Sequence, residues 1–298
     1  LKIKGIITAM VTPFDEAQNL NLVATCQLVD KLIESGVDGL FILGTNGEFH
    51  HLSNEEKILF SKTVIDHVNH RIPVYVGVGA CGTKETIKLA QQMEKVGADA
   101  LSVITPYLIA PTQEELIQHY KMIAESVNTP IILYNLPKNT GVNIEPSTVA
   151  TLLEVKNIVA IKDSSGNMEN MQGYIDVVKD HDFAVLVGSD SKILSALKMG
   201  ASGAVAGTSN VITEVIISIY HKFINGYLDE AEKLQKDVDV LREVLKLGTV
   251  PSVMKKAVTL LGVNVGDARL PVKSLSEEDT LKIKEALNFY QLKVIENV

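Results

Sequence analysis

Eight short apolar runs recur along this 298-residue chain, separated by segments with helical spacing. They are IITAMV (6–11), GLFILG (39–44), VYVGVG (74–79), ALSVIT (100–105), IILYN (131–135), IVAIK (158–162), AVLVG (184–188) and GAVAG (203–207). Most are apolar on both faces rather than alternating, which is the condition of parallel strands covered by helices on both sides. Between them, Leu22, Leu28, Leu32 and Ile33 make an apolar stripe at helical spacing, and Leu89 with Met93 makes another. Ser53–Glu56 and Thr112–Glu115 fit capping boxes, in which hydroxyl and acid satisfy the first free N–H groups of a helix. A weak repeat, GVDGL (36–40), GADAL (97–101) and GASGA (200–204), closes a helix with glycine and enters a strand.

Eight β units with helical crossovers predict an α/β fold, the (β/α)8 TIM barrel. The alternative is an open doubly wound sheet. A dinucleotide-binding version would want G-x-G-x-x-G after the first strand, where this chain reads MVTPF. Beyond residue 211 the pattern is wholly helical, over 212–225, 229–246, 252–261 and 276–295. The expected organisation is a barrel over 1–225 and a C-terminal helical extension over 226–298, in one structural unit without a Pro/Gly/Ser-rich linker.

Net charge is 28 − 36 = −8 and no basic run occurs, which argues against a nucleic-acid surface. No uncharged apolar stretch reaches the roughly 18 residues of a membrane span. The start, LKIKGIITAMVTPF, resembles a signal peptide, but Pro13 and Phe14 interrupt the apolar run and no small-x-small pattern follows. It is read as a strand. Cys26 and Cys81 are the only cysteines, too few for a disulfide framework, so a reducing cytoplasm is expected. Cys26 is expected in the core, and Cys81 follows the third strand, where it would border a site.

Barrel active sites lie at the C-terminal ends of the strands. The residues there are Thr12, Pro13, Thr45, Asn46, Gly79, Tyr107, Tyr134, Lys162, Asp163, Gly188, Asp190, Gly207 and Thr208. They include no histidine and no carboxylate cluster, so no metal is expected. His67 and His70 share a helix face but lack a third ligand. What remains is one lysine, two tyrosines, hydroxyls and glycines. Neighbouring strands lie about 4.8 Å apart, so Lys162 and Tyr134 can reach one small cavity. Removal from water disfavours an ammonium ion, and a neutral amine attacks a carbonyl to form a Schiff base. The protonated imine is itself an electron sink, so neither metal nor other cofactor is required. A phenol beside it can carry protons. In GTNGEFHHL (44–52), Gly44 and Gly47 bracket Thr45 and Asn46 in a turn that could bind a carboxylate through backbone N–H groups, or simply be a tight loop. Glu48 is expected to hold that loop by accepting backbone N–H bonds, and Asp163 to cap a turn or pair with a base.

The order GTNGE (44–48), TPY (105–107), YNLPKNTG (134–141), IKDSSGN (161–167) and GSD (188–190) resembles the dihydrodipicolinate synthase / N-acetylneuraminate lyase family. The likeness runs from residue 5 to about 290, with ARLPV (268–272) included. It implies a (β/α)8 barrel with a C-terminal helical bundle, a homotetramer, and class I aldolase or lyase chemistry on pyruvate or a related 2-oxo acid. Carried over, it makes Lys162 the Schiff-base lysine and Tyr134 the proton-relay phenol. Thr45 and Asn46 take the positions that hold the pyruvate carboxylate, with Thr45 also in the relay. Val205 matches the position whose backbone faces the substrate, and Tyr107, Asn139 and Gly188 complete the expected substrate-binding set.

Two positions depart from the lysine-pathway synthases of that family. Their TPYY is TPYL here, with Leu108 in place of the second tyrosine. Their arginine in the YNVP segment, which grips the carboxylate of aspartate semialdehyde, is Asn139. A neutral amide cannot supply the bidentate charged contact of a guanidinium. The leading expectation is therefore a pyruvate aldolase: it joins pyruvate to an aldehyde, or cleaves a 4-hydroxy-2-oxo acid of the 4-hydroxy-2-oxoglutarate or 2-keto-3-deoxy sugar acid type. The alternatives are a 4-hydroxy-tetrahydrodipicolinate (dihydrodipicolinate) synthase and a barrel that binds a 2-oxo acid without turnover. The expected partners are small molecules, with neither nucleic acid nor membrane.

Overall fold

The computed structural model describes residues 2–295. Eight strands run through the chain as β1 (Gly5–Ala9), β2 (Gly39–Ile42), β3 (Val74–Gly77), β4 (Ala100–Ile104), β5 (Ile131–Asn135), β6 (Ile158–Asp163), β7 (Ala184–Val187) and β8 (Gly203–Ala206). All pair in parallel with their sequence neighbours, and β1 pairs with β8 to close the barrel. The closed eight-stranded barrel, with helices following its strands, is the expected TIM fold, and the open sheet is excluded. Each apolar run became a strand. The strands stop short of the C-terminal ends of most runs because those last residues turn into the loops at the barrel mouth.

The helices are α1 (Leu22–Glu34), α2 (Asn54–Val68), α3 (Thr83–Val96), α4 (Gln113–Glu125), α5 (Pro137–Thr140), α6 (Pro146–Leu152), α7 (Met168–Val178), α8 (Ile193–Met199), α9 (Thr213–Ile224), α10 (Leu228–Val244), α11 (Ser252–Leu260) and α12 (Glu277–Phe289). Both capping boxes form: Ser53 and Thr112 accept from the N–H groups of Glu56 and Glu115, whose carboxylates accept in return. Gly36, Gly97 and Gly200 stand at helix ends with φ of +85°, +96° and +112°, as the repeat predicted. Helix α12 ends six residues before the expected 295, because the chain turns at Gln291 (φ +58°) and Ile295 donates its N–H to Leu260 O at 2.9 Å. Cys26 is a second correction. It is only half-buried, since α1 turns Ala24, Thr25, Leu28, Val29 and Leu32 to the core instead. Of the expected stripe on α1, Leu28 and Leu32 are buried, while Leu22 and Ile33 at its ends are half-buried.

Two apolar layers follow from the period of two along each strand. Inward residues such as Ile7, Phe41, Tyr75, Ile104, Ile132, Ala160, Leu186 and Val205 fill the barrel. Outward residues such as Ile42, Val76, Leu133 and Ile161 pack under the helices. No helix is long and apolar enough to cross a membrane among the described residues.

His119 on α4 is buried in the helix layer, with Nδ1 2.8 Å from Thr83 Oγ1 and Nε2 unpartnered among the described residues. Burial lowers its imidazole from the ordinary 6.5 to about 4. The folded value lies below the unfolded one, so the neutral ring's contribution is complete above pH 6.5 and is lost as pH falls towards 4. The loss is at most about 3 kcal/mol. His119→Gln is expected to flatten the acid side of the stability curve across that window. Urea unfolding at a series of pH values checks it, and an unchanged acid slope would count against the buried neutral ring.

Candidate active site

Tyr134 and Lys162 are direct partners in the β5–β6 ladder. A register shift between Ile131 and Ile132 sets the phase, so that Ala160 and Lys162 on β6 share the inward face with Ile132 and Tyr134 on β5. Lys162 is 4 % exposed. Its Nζ lies 3.9 Å from the centroid of the Tyr134 ring and 4.3 Å from that of Phe41, and the two rings meet edge to face. Ring faces attract a cation without giving it a carboxylate partner. Lys162 takes part in none of the ion pairs among the described residues. Its stem passes the end of β7, where a Cβ on Gly188 would stand 3.0 Å from Lys162 Cε and closer still to Ser164 Oγ. Any side chain at 188 would force Ser164 aside and press on the lysine stem.

Tyr134 Oη is 3.2 Å from Thr45 Oγ1, so phenol and hydroxyl form a two-member proton path beside the amine. Thr45 belongs to the loop after β2, which is anchored from below. Thr12 Oγ1 donates to Gly47 O at 2.7 Å. Glu48 sits in the left-handed region (φ +54°), fully buried. Its carboxylate accepts from the N–H of Arg269 at 2.8 Å, as the loop-holding role requires, and from Lys255 Nζ at 3.2 Å. It also lies 3.3 Å from His51 Nδ1. Lys255 donates to Asp267 O at 2.7 Å and stands 4.1 Å above the Phe14 ring. Arg269 covers the same ring and bonds Glu56 and the carbonyls of Gln18 and His51. Burial brings the Lys255 ammonium down to about 8, against the opposing pull of Glu48. Sequence reading missed Lys255. The signal was a lysine inside the apolar helix SVMKKAVTL, which reads equally well as a surface residue.

The other expected residues separate. Asn46 points its amide at the end of β8, 2.5 Å from where a Cβ on Gly207 would be. Val205 on β8 lies opposite Ile7 on β1, its side chain inside the barrel. Tyr107 is half-buried and edge-on to Phe49, and burial together with the neighbouring Cys81 thiol pushes its phenol up to about 12. Cys81 is exposed beside it, bordering the mouth as expected. Asn139 is exposed on α5. Asp163 points outward. It accepts from Ser165 N and Oγ, capping the turn, and from Asn135 Nδ2 at 2.9 Å, and burial raises its carboxyl against those bonds. Asp190 accepts from the N–H groups of Gly207 (3.2 Å) and Thr208 (2.7 Å), holding the end of β8. His67 bonds Asp30 on the helical exterior. No group of three or more His, Cys, Asp or Glu with metal-binding geometry occurs among the described residues. A buried amine, a phenol and a hydroxyl thus converge at the mouth, which is a set that forms imines and moves protons.

Comparison with known proteins places the whole chain in one family. The sequence matches the dihydrodipicolinate synthetase family over residues 2–289. It is 38 % identical over 288 residues to 4-hydroxy-tetrahydrodipicolinate synthase 1 of Halalkalibacterium halodurans, covering 97 % of each chain. It superposes on the dihydrodipicolinate synthase of Thermotoga maritima with a TM-score of 0.94 at 33 % identity, covering 98 % of this chain and 100 % of that one. YagE, an E. coli K12 prophage protein of the dihydrodipicolinic acid synthase family solved with pyruvate, gives a TM-score of 0.92 at 32 % identity, with 97 % and 99 % covered.

The Glu48–Lys255 pair holds the Thr45 loop against α11. Breaking a buried pair from one side typically costs about 3–5 kcal/mol, because a charge is left alone. Lys255→Met is expected to lower stability on that scale. Adding Glu48→Gln should recover much of the loss, since no uncompensated charge then remains. Denaturation midpoints of the single and double variants check this; a double variant no more stable than Lys255→Met would show that the pair is not what couples the two residues.

Proposed function

The chain belongs to the dihydrodipicolinate synthetase family, and we propose that it is a class I enzyme joining pyruvate to an aldehyde or releasing pyruvate from a 4-hydroxy-2-oxo acid. Membership of an enzyme family sets aside a binding barrel without turnover. The observation that carries the reading is the buried Lys162 amine, free of any carboxylate among the described residues and in register with Tyr134. Lys162 Nζ adds to C2 of pyruvate. The Tyr134 phenol, bonded to Thr45, protonates the departing hydroxyl; water leaves and an imine remains. The phenolate left on Tyr134 takes a proton from C3, which gives the enamine and restores the phenol. Its C3 forms a bond to the aldehyde carbon, and the phenol delivers a proton to the aldehyde oxygen. Water then adds to the imine and frees the lysine. Cleavage runs the same steps backwards. Asn46 is proposed to hold the pyruvate carboxylate with Thr45. Val205 is proposed to face the substrate through its backbone, and Gly188 to leave room for it. Tyr107 and Asn139 are proposed at the outer rim. The imine supplies the electron sink, so this route draws on no metal.

A second reading, 4-hydroxy-tetrahydrodipicolinate synthase, is favoured by the name of the Halalkalibacterium halodurans relative. Leu108 and the exposed, neutral Asn139 weigh against it. Pyruvate release from 4-hydroxy-2-oxoglutarate, set against condensation with aspartate semialdehyde, separates the two. For assembly we propose a homotetramer in the cytoplasm. Leu108 and Ile109, 87 % and 79 % exposed, form an apolar ridge beside Tyr107 that another copy would cover.

Borohydride with pyruvate is expected to trap one adduct at Lys162, identified by peptide mass spectrometry, and Lys162→Arg is expected to abolish turnover because arginine stays protonated. An adduct on another lysine would sink the mechanism. Tyr134→Phe keeps the ring and removes the hydroxyl. It is expected to lower kcat by about 10²–10⁴ while pyruvate still binds. A near-native kcat would move the proton transfer to another group.

A further inference from the structure

Gly207 follows β8 with an ordinary right-handed backbone, φ −79° and ψ −45°. Any residue adopts that conformation, and an alanine there would normally stabilise a fold by restricting the unfolded chain. The dihedral angles therefore do not require a glycine. The surroundings do. A Cβ at 207 would stand 2.5 Å from Asn46 Nδ2 and 3.3 Å from Met254 Cε. The methionine tip is flexible and can yield. The approach to the amide is closer than a Cβ tolerates, so something would have to move.

The backbone at 207 is held at both ends. Its N–H donates to the buried Asp190 at 3.2 Å. Its carbonyl accepts from Asn210 N at 3.1 Å and from Asn210 Nδ2 at 2.8 Å. Asn210 is itself buried and ties this turn to the end of β1, donating to Ala9 O at 2.8 Å and accepting the N–H of Val11 at 3.2 Å. The loop that carries Asn46 is held too, by Thr12 at Gly47 and by Lys255 and Arg269 at Glu48. The Asn46 amide takes no part in any of these bonds. It lies between two fixed backbones, and rotation of its side chain is the one soft coordinate.

We propose that Gly207 is a positioning residue: its missing Cβ is the seat in which the Asn46 amide lies across the end of β8, turned for the carboxylate of the 2-oxo acid. The inference rests on the reading above in which Asn46 and Thr45 hold that carboxylate. It makes residue 207 a determinant of affinity for the 2-oxo acid with no part in the chemistry at Lys162.

Gly207→Ala, Asn46→Ala and their double variant make the test. A crystal structure of Gly207→Ala without pyruvate is expected to show the backbone at 207 in place and the Asn46 side chain in another rotamer. Its thermal midpoint should equal or exceed that of the unmodified protein. Borohydride trapping at Lys162 over a range of pyruvate concentrations reads affinity apart from chemistry. Gly207→Ala is expected to raise the half-saturating concentration by about 10- to 150-fold, the worth of a hydrogen bond to a charged group, and to leave trapping at saturation unchanged. Asn46→Ala should do the same. Adding Gly207→Ala to it should change nothing further, because no amide is left to displace. An Asn46 side chain that stays in place overturns the seat. So does a destabilised Gly207→Ala protein, a double variant with additive effects, or a half-saturation raised by Asn46→Ala and not by Gly207→Ala. A displaced Asn46 together with an Asn46→Ala protein that traps pyruvate as the unmodified protein does overturns the carboxylate reading instead.

Discussion

Tyr134 faces Lys162 across the β5–β6 ladder, and everything at the barrel mouth depends on that register. Side chains alternate along a strand, so a slip of one residue would turn Lys162 outward and bring Asp163 into the barrel. Both faces of the two strands resist the slip. Inside, Ile132 and Ala160 fit the apolar filling of the barrel. Outside, Asn135 donates to Asp163 and accepts the N–H of Ile144, a buried polar staple that has no partners one residue away. The face that positions the amine and the face that fixes the register are opposite sides of the same ribbon.

Two buried lysines show how environment divides one residue type between tasks. Lys255 is fully buried and paired with Glu48, with a backbone carbonyl and an aromatic face completing its shell. Its charge is consumed in tying the Thr45 loop to α11, so it serves as a strut. Lys162 is nearly as buried, yet its neighbours are two aromatic rings and a glycine. Among the described residues no carboxylate pairs with it and competes with an incoming carbonyl. The C-terminal helices therefore support the site as well as the barrel does: α11 holds the loop that carries Thr45 and Asn46.

Much of the fold was readable because its signals are local. The strand runs, the capping boxes at Ser53 and Thr112, and the glycines at 36, 97 and 200 each report chain geometry within a few residues. Where expectation and structure part, the deciding contact is distant. Cys26 fits an apolar stripe as well as its neighbours do, but α1 rotates so that Ala24 and Thr25 take the core. The last helix has a pattern that could run on to 295, yet its end is drawn back to Leu260 by a hydrogen bond. Neither choice is recorded in local spacing.

The candidate site divides along the same line. Sequence alone determined that a lysine and a tyrosine end adjacent parallel strands and that a Gly-Thr-Asn-Gly turn follows the second strand. Those facts depend on period and order, which a linear chain carries. Only the tertiary structure decided that Glu48, Lys255 and Arg269 would meet across more than two hundred residues. Such pairings arise when the barrel closes and the C-terminal helices pack against it. Their charges find one another through space, and a lysine or arginine read in sequence looks the same whether it ends in solvent or in the core.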